Sequence, residues 1–340
     1  MSSNYSTSAP TTTVDEIGST KISTVHSDIL LAHILTRLDG PTLASTSCAS
    51  SHLRALSSSD HLWRDLCATT WPSVAHPRVT QLISTFPAGH RSFYSDSFPI
   101  LDLSRSSQPP SELISAVDIH YCDKLIFSQV KETERANEWF DKSPFVVDMI
   151  DRKESVSTPV RISGDEKTWM KDLEEKLTLS WILIDPTQKR AANLSSRRPV
   201  LVQRRWWAGE IELRFATIVS RCRAGSSTGS DHVQCGMVVT CGGKEGGEME
   251  MREVRMHLED LEGKHLSGEE SLFVLGSAIN GEKRKKLGKG NEGRERFEQY
   301  LERKKEWREK KQRRERALDL VSILVGVCIF VSFFRFILFR

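Results

Sequence analysis

From Leu320 to Phe334 the chain carries fifteen apolar or small residues without a charge, and after Arg335 the apolar character resumes through Phe336-Ile-Leu-Phe339. Backbone groups in hydrocarbon must be satisfied within their own segment, so a single span of this kind has to be helical. Counted from Leu320 to Phe339, twenty residues at ~1.5 Å each cross ~30 Å of hydrocarbon if Arg335 reaches its charge toward an interface. A buried core helix is the bland alternative. Residues 303 to 316 place nine basic and three acidic residues directly before the run, and such a flank prefers the cytosolic side and anionic headgroups. The expectation is a transmembrane tail anchor at 317–340, with the rest of the chain cytosolic and lipid contact through residues 303–339. A span this short suits the thinner endoplasmic reticulum bilayer.

Charge sharpens the division. The net charge of +3 hides a tail of +9 from residue 281 onward on a body of −6. A basic tail on a mildly acidic body argues against a nucleic-acid-binding protein and for a local electrostatic role. Residues 281–316 read as a basic charged helix or linker, broken by Gly288, Gly290 and Gly293 and helical from about 294. Lys283-Arg-Lys-Lys286 also fits a nuclear localisation signal as an alternative. Residues 1–20, rich in Ser and Thr, read as a disordered leader without a secretory signal, and the seven scattered cysteines read as reduced thiols.

Near the N-terminus the apolar residues Leu30, Ile34 and Leu38 recur every four positions, with Ile29, Leu31 and Leu35 widening the stripe. This spacing predicts an amphipathic helix from Ser27 to Leu38 with Ser27 as its cap. Asp39-Gly40-Pro41 punctuates, with Gly40 suited to a left-handed C-terminal position and Pro41 to opening the next helix. That second helix runs from about Thr42 to Leu56, and Asp60 begins a third with Leu62, Trp63 and Leu66. Residues 69–110 read as a linker with short helices, ending in a Ser/Pro hinge at 104–111.

Beyond about 110 the apolar period becomes two, the mark of half-buried strands. Val117, Ile119 and Tyr121 alternate with polar residues, as do Leu177 to Leu183, Ile211 to Phe215 and Val254 to Leu258. Shorter strands are expected near Leu125, Phe145, Val200, Val238 and Leu272. The fold class is therefore α+β, with small N-terminal helices and an antiparallel β-sandwich-like domain over 111–280, followed by a charged helix leading into one transmembrane helix.

No motif points to catalysis or to a cofactor. Cys241-Gly-Gly-Lys-Glu-Gly-Gly247 lacks the Lys-Ser/Thr ending of a phosphate-binding loop and reads as a hairpin loop. Cys222, Cys235, Cys241, His232 and His257 share a region but form no close ligand pair of the kind structural zinc sites use. Arg204, Arg205, Trp206 and Trp207 read either as a target-recognition set, since Trp and Arg are enriched at binding hot spots, or as two Trp sealing the edge of the sandwich beside two surface Arg. As neighbours in a strand, one Trp would face inward and the other outward.

The run Ile22-Ser-Thr-Val-His-Ser-Asp-Ile-Leu-Leu-Ala-His-Ile-Leu-Thr-Arg-Leu-Asp39, followed by Leu43, Cys48, Leu53, Arg54 and Leu62-Trp63-Arg64-Asp65-Leu66-Cys67, resembles an F-box. Leu38 to Ser45, Asp102-Leu103 and Leu179 to Pro186 are similar to a plant group of F-box proteins without leucine-rich or kelch repeats. The resemblance implies a module at 21–68 that binds a Skp-type adaptor, and through it a cullin, by Val25, Ile29, Leu30, Ile34, Leu35, Leu38 and Leu43. It implies a non-catalytic subunit of a ubiquitin ligase whose β-rich domain presents an unknown protein target. Where the family opens with Leu-Pro, this chain has Val25-His26, which keeps the apolar contact and loses a preset turn. Two alternatives stand beside this reading: a lectin-like β-sandwich that binds a ligand, and a membrane protein whose N-terminal helices are purely structural.

Overall fold

A computed structural model describes residues 25–97, 100–102, 109–135, 138–151, 153–162, 164–221, 231–243, 246–280, 283–285 and 292–339. The leader, Cys222 and most of the Ser/Pro hinge lie outside these residues. The chain forms two compact units, Met1–Leu66 and Cys67–Arg340, and its architecture is α+β.

In the smaller unit, the expected helix from Ser27 to Leu38 is instead three short coils. These are α1 (Ser27–Ile29), a π-helical turn Leu30–Ile34 and a 3₁₀ turn Leu35–Arg37. His26, not Ser27, caps the start, its Nδ1 accepting from the Asp28 N–H at 3.3 Å. In the wide turn the Leu35 N–H donates to the Leu30 carbonyl, five residues back, so residues five apart share a side where the sequence reading put residues four apart. Gly40 ends nothing; it opens α2 (Gly40–Ala49) behind Asp39, whose Oδ1 accepts from the Thr42 N–H at 3.1 Å. The bonds from Thr42 hold the Asp39 carboxyl below its ordinary pKa. The predicted helix 42–56 is split because Ser50 turns extended and its hydroxyl accepts from the Leu53 N–H, starting α3 (Ser51–Ser57). Next, α4 (Asp60–Thr70) buries Trp63, whose indole N–H donates to the Ser57 carbonyl at 2.7 Å.

The larger unit contains strands β1 (Ile100–Asp102), β2 (Glu112–Tyr121), β3 (Lys124–Glu134), β4 (Val146–Asp148), β5 (Val156–Arg161), β6 (Leu177–Asp185), β7 (Arg190–Asn193), β8 (Leu201–Arg205), β9 (Glu210–Arg221), β10 (Asp231–Gly242), β11 (Glu248–Glu259) and β12 (Lys283–Lys285). All pair antiparallel. One sheet has the order β3-β2-β6-β7, a second β4-β11-β10-β9-β8 with β5 also on β11, and β1 pairs β12. Alternate residues of the two larger sheets, among them Val117, Trp181, Phe215, Met237 and Met256, bury one shared core. The predicted strand at Leu272 is a helix, α9 in chain order after α5 (Pro77–Ile83), α6 (Gly89–Ser97), α7 (Glu138–Lys142) and α8 (Glu166–Lys176); it spans Gly268–Ile279. A Ser267/Glu270 capping box starts α9, and Leu272, Leu275 and Ile279 join the shared core at helical spacing.

The stretch 69–97, expected as a linker with short helices, does carry short helices, and these pack as a layer. A 3₁₀ turn Pro72–Ala75 meets β2 and β3, and α6 meets β7. Trp71, Val79, Ile83 and Phe93 are buried, as are Ile114, Ala116, Ile182 and Ile184, so β2 and β6 bury both faces. Asp118, expected outward, accepts from the Ser73 N–H at 2.9 Å and from the Ser73 and Ser128 hydroxyls at 2.5 and 2.7 Å. Burial raises its pKa against these bonds.

The last helix, α10 (Glu292–Leu338), has 47 residues and is ~70 Å long at ~1.5 Å per residue. Its first turns lie on the outer face of the six-stranded sheet, where Phe297 packs against Val200 and Ala216. The Tyr300 hydroxyl donates to the Asp260 carbonyl at 3.1 Å, Lys304 pairs with Glu259 at 2.8 Å and Lys311 with Glu262 at 3.1 Å. Positions 297, 300, 304 and 311 form one stripe of the helix, so residues 292–311 are bound to the domain and do not act as a free linker. The apolar end has a mean hydropathy of 2.5 over its most apolar stretch, none of it buried.

Candidate functional site

The adaptor set divides by burial. Leu30, Leu35 and Leu43 are buried, Val25 and Leu38 half-buried, and Ile29 and Ile34 are 51% and 45% exposed. The π turn explains the division, since Leu30 and Leu35 share the inner side while Ile29 and Ile34 share the outer one. Among the described residues of this unit, Ile29 and Ile34 are the large aliphatic side chains left in solvent. Such a pair offers a contact for a partner and no chemistry.

The recognition set divides as well. Trp206 and Trp207 occupy the turn between β8 and β9, with Gly209 at φ 66° closing it. Because they lie in a turn, neither faces the core: they are 83% and 68% exposed, with rings edge-to-face at 5.7 Å. Arg204 pairs with Glu166 at 2.5 Å on the surface. Arg205 folds back over the sheet, 2.7 Å from Glu212 and 3.0 Å from Glu253, and is committed to the domain itself.

Next to Arg205 a pocket of ≈ 380 Å³ opens on the outer face of the six-stranded sheet. The outward residues of β9 to β11 line it, including Arg214, Gln234, Gly236, Glu253 and His257, with His265 beyond. Burial pushes the Glu212 carboxyl up, but the bonds it accepts from Arg214 and Arg205 outweigh this and hold it below its usual range. Arg255 is bound to Asp148 at 2.5 Å and Glu253 at 3.0 Å. Burial, reinforced by His265, depresses His257 to about 4, so its imidazole is neutral at physiological pH. The sequence reading missed this group, although its signal, polar residues alternating with the core residues of three adjacent strands, is present in the chain.

The five residues weighed for zinc do not converge. Cys235 and Cys241 point into the core, where burial lifts their thiols to about 12. His257 lies on the opposite face, His232 bonds Arg303 at 2.7 Å, and Cys222 is outside the described residues. Among the described residues no group of three or more His, Cys, Asp or Glu is placed to hold a metal. The glycine-rich stretch at 241–247 joins β10 to β11.

The F-box-like family matches residues 28–69. F-box protein At2g27310 of Arabidopsis thaliana is 45% identical over 96% of this chain and 99% of the relative. Probable F-box protein At2g36090, from the same plant, is 44% identical over 99% of this chain and 98% of its own length. F-box protein At3g44326 is 43% identical, covering 95% and 92% of the two chains. No solved structure matches.

Proposed function

The chain belongs to the F-box protein family, and from that premise we propose that it is the substrate-recruiting subunit of an SCF-type ubiquitin ligase working at a membrane surface. F-box proteins generally serve as non-catalytic substrate adaptors that bind a Skp-type protein and thereby a cullin. The observation that carries the adaptor reading is the exposure of Ile29 and Ile34 inside the matched segment. Val25 and Leu38 flank that pair, while Leu30, Leu35 and Leu43 support it from beneath. The membrane reading rests on the unburied apolar end of α10 and the basic residues before it.

The work done is proximity. Holding a target near a charged ubiquitin-conjugating enzyme raises the effective concentration of its acceptor lysine, so this chain needs no reactive group of its own. The larger unit presents the target, with the exposed Trp206 and Trp207 as one contact and the span confining encounters to a single surface. A lectin-like site would set an exposed aromatic over convergent polar groups; among the described residues no Trp or Tyr lines the outer-face pocket.

Co-purification with a Skp adaptor tests the reading. Wild type is expected to retain the adaptor, and Ile29→Asp and Ile34→Asp to lose it while remaining folded. Retention by both variants, or none by wild type, would overturn the adaptor role. Membrane fractionation of the intact chain against one truncated after Arg316 tests the anchor, which fails if both remain in the soluble fraction.

A further inference from the structure

At the end of the six-stranded sheet where β8 turns into β9 and β10 into β11, a second pocket of ≈ 270 Å³ opens beside the start of α8. Trp169 and Ile211 form its buried floor, and Gly164, Gly209 and Gly243, all at positive φ, wall it with backbone. Arg204 and Gly209 line it from the turn that carries Trp206 and Trp207, so the two exposed indoles belong to its rim. Their perpendicular packing leaves indole faces open to solvent, and among the described residues no cation lies over either ring. The charged groups lining the pocket are Asp165, Glu166 and Arg204. Arg204 is held by Glu166 at 2.5 Å. Asp165 accepts from the Thr168 hydroxyl, and its carboxylate has no ion pair among the described residues. One negative charge at the rim is therefore uncompensated, because the exposed cations that flank it in sequence, Arg161 and Lys167, do not line the pocket.

From this arrangement we infer that the rim is a docking site for a cationic side chain, Arg or Lys, carried by a basic segment of the target. The inference rests on reading the larger unit as the part that presents targets and Trp206 and Trp207 as one of its contacts. Indole attracts a cation more strongly than any other side-chain ring, and it does so through the negative face of its π system. The Asp165 carboxylate adds a charged acceptor for the N–H groups of the same cation. The aliphatic stem of Arg or Lys can then lie along the apolar floor and the glycine walls while its charged head stays at the rim. A carboxylate of the target would meet the surplus negative charge instead. A neutral sugar would stack on an indole without using that charge. The chain before residue 281 carries a net −6, so the wider field of the body favours a basic partner as well.

The test measures peptide binding to the full chain in micelles of an uncharged detergent. Probes are fluorescent hexapeptides with a central Arg or Lys and uncharged randomised flanks, the same set with citrulline or acetyllysine, the same set with Phe or Asp, and a neutral glucose hexamer. Arg and Lys peptides are expected to bind at least tenfold more tightly than their uncharged counterparts. The double variant Trp206→Ala/Trp207→Ala and the single variant Asp165→Asn, all at exposed positions, are each expected to lose most of that preference. Trp139→Ala, which removes an exposed Trp from α7 instead, should keep it. No binding of the cationic set, equal binding of the citrulline and acetyllysine set, tighter binding of the Phe peptides, the Asp peptides or the glucose hexamer, an unchanged preference in the Trp206/Trp207 or Asp165 variants, or its loss in Trp139→Ala each overturns the proposal. Skp-adaptor retention is measured on the same samples, so a failure of the rim with the adaptor retained is distinct from a failure of the F-box reading.

Discussion

Replacing His257 by glutamine removes one titrating group from the outer face of the six-stranded sheet and should flatten part of the acid limb of stability. In the fold its imidazole is depressed to about 4 by burial and by His265, from 6.5 for a free side chain. The unfolded chain therefore binds more protons between these two values, and stability present above pH 6.5 is lost as pH falls toward 4. At about 1.4 kcal/mol per pH unit of difference, the full effect is about 3 kcal/mol, of which most is expressed by pH 4.5. Urea unfolding of the full chain in micelles, followed by the fluorescence of its buried Trp residues at pH 7.5 and 4.5, gives the stability loss for each form. Wild type should lose about 2 to 3 kcal/mol more than His257→Gln over that interval. Identical losses in the two proteins, or a His257 resonance titrating near 6.5, would refute the argument.

Leu30→Asp should unfold the N-terminal module, while Ile34→Asp should leave its thermal melt nearly unchanged, since a charge is costly only at the buried position. Asp118→Ala should free the 72–97 layer, seen as faster hydrogen exchange there, because the buried N–H and hydroxyl of Ser73 lose their acceptor at about 1 to 3 kcal/mol each. As burial raises the pKa of Asp118, its own contribution is fully present below the unfolded value and is lost as pH rises, opposite in sign to that of His257. Gly243→Ala should lower the melting temperature of the larger unit, because a Cβ at φ 143° would lie 2.6 Å from Ile162 Cδ1 and 2.7 Å from the Glu248 carbonyl, at about 1 to 3 kcal/mol. Phe297→Ala should expose residues 292–311 to protease at a loss of about 3 kcal/mol in the helix–sheet contact.

Periodicity alone located β2, β6, β9 and β11, because each carries a run of alternating core residues long enough to exceed chance. It failed at Leu272, where a short apolar stretch fits strand and helix equally and the Ser267/Glu270 cap decides. At 69–97 it indicates short helices but not their packing, because Trp71, Phe86 and Phe93 are spread among prolines and their burial depends on a sheet distant in sequence. The π turn was hidden for a different reason: a four-residue spacing of leucine and isoleucine fits an α-helix, and only the observed hydrogen bonds reveal the wider coil. Trp206 and Trp207, read as part of a strand, lie instead in the turn between β8 and β9. The pocket around Gly236 needed the cross-strand register, which no local pattern encodes.

With the proposed anchor seated in a bilayer, the unbroken course of α10 would make the larger unit mechanically responsive to that bilayer. A span longer than the local hydrocarbon layer accommodates by tilting, and tilts of ~20° are ordinary. Phe297 stands some thirty residues from the middle of the apolar run, a lever of ~45 Å at ~1.5 Å per residue. With no break in the helix to absorb it, a ~20° tilt would carry the docked sheet sideways by ~15 Å. Membrane thickness would then select which part of the protein leans toward the lipid and which toward the cytosol, so the same chain would offer a different profile to its surroundings in thin and in thick membranes.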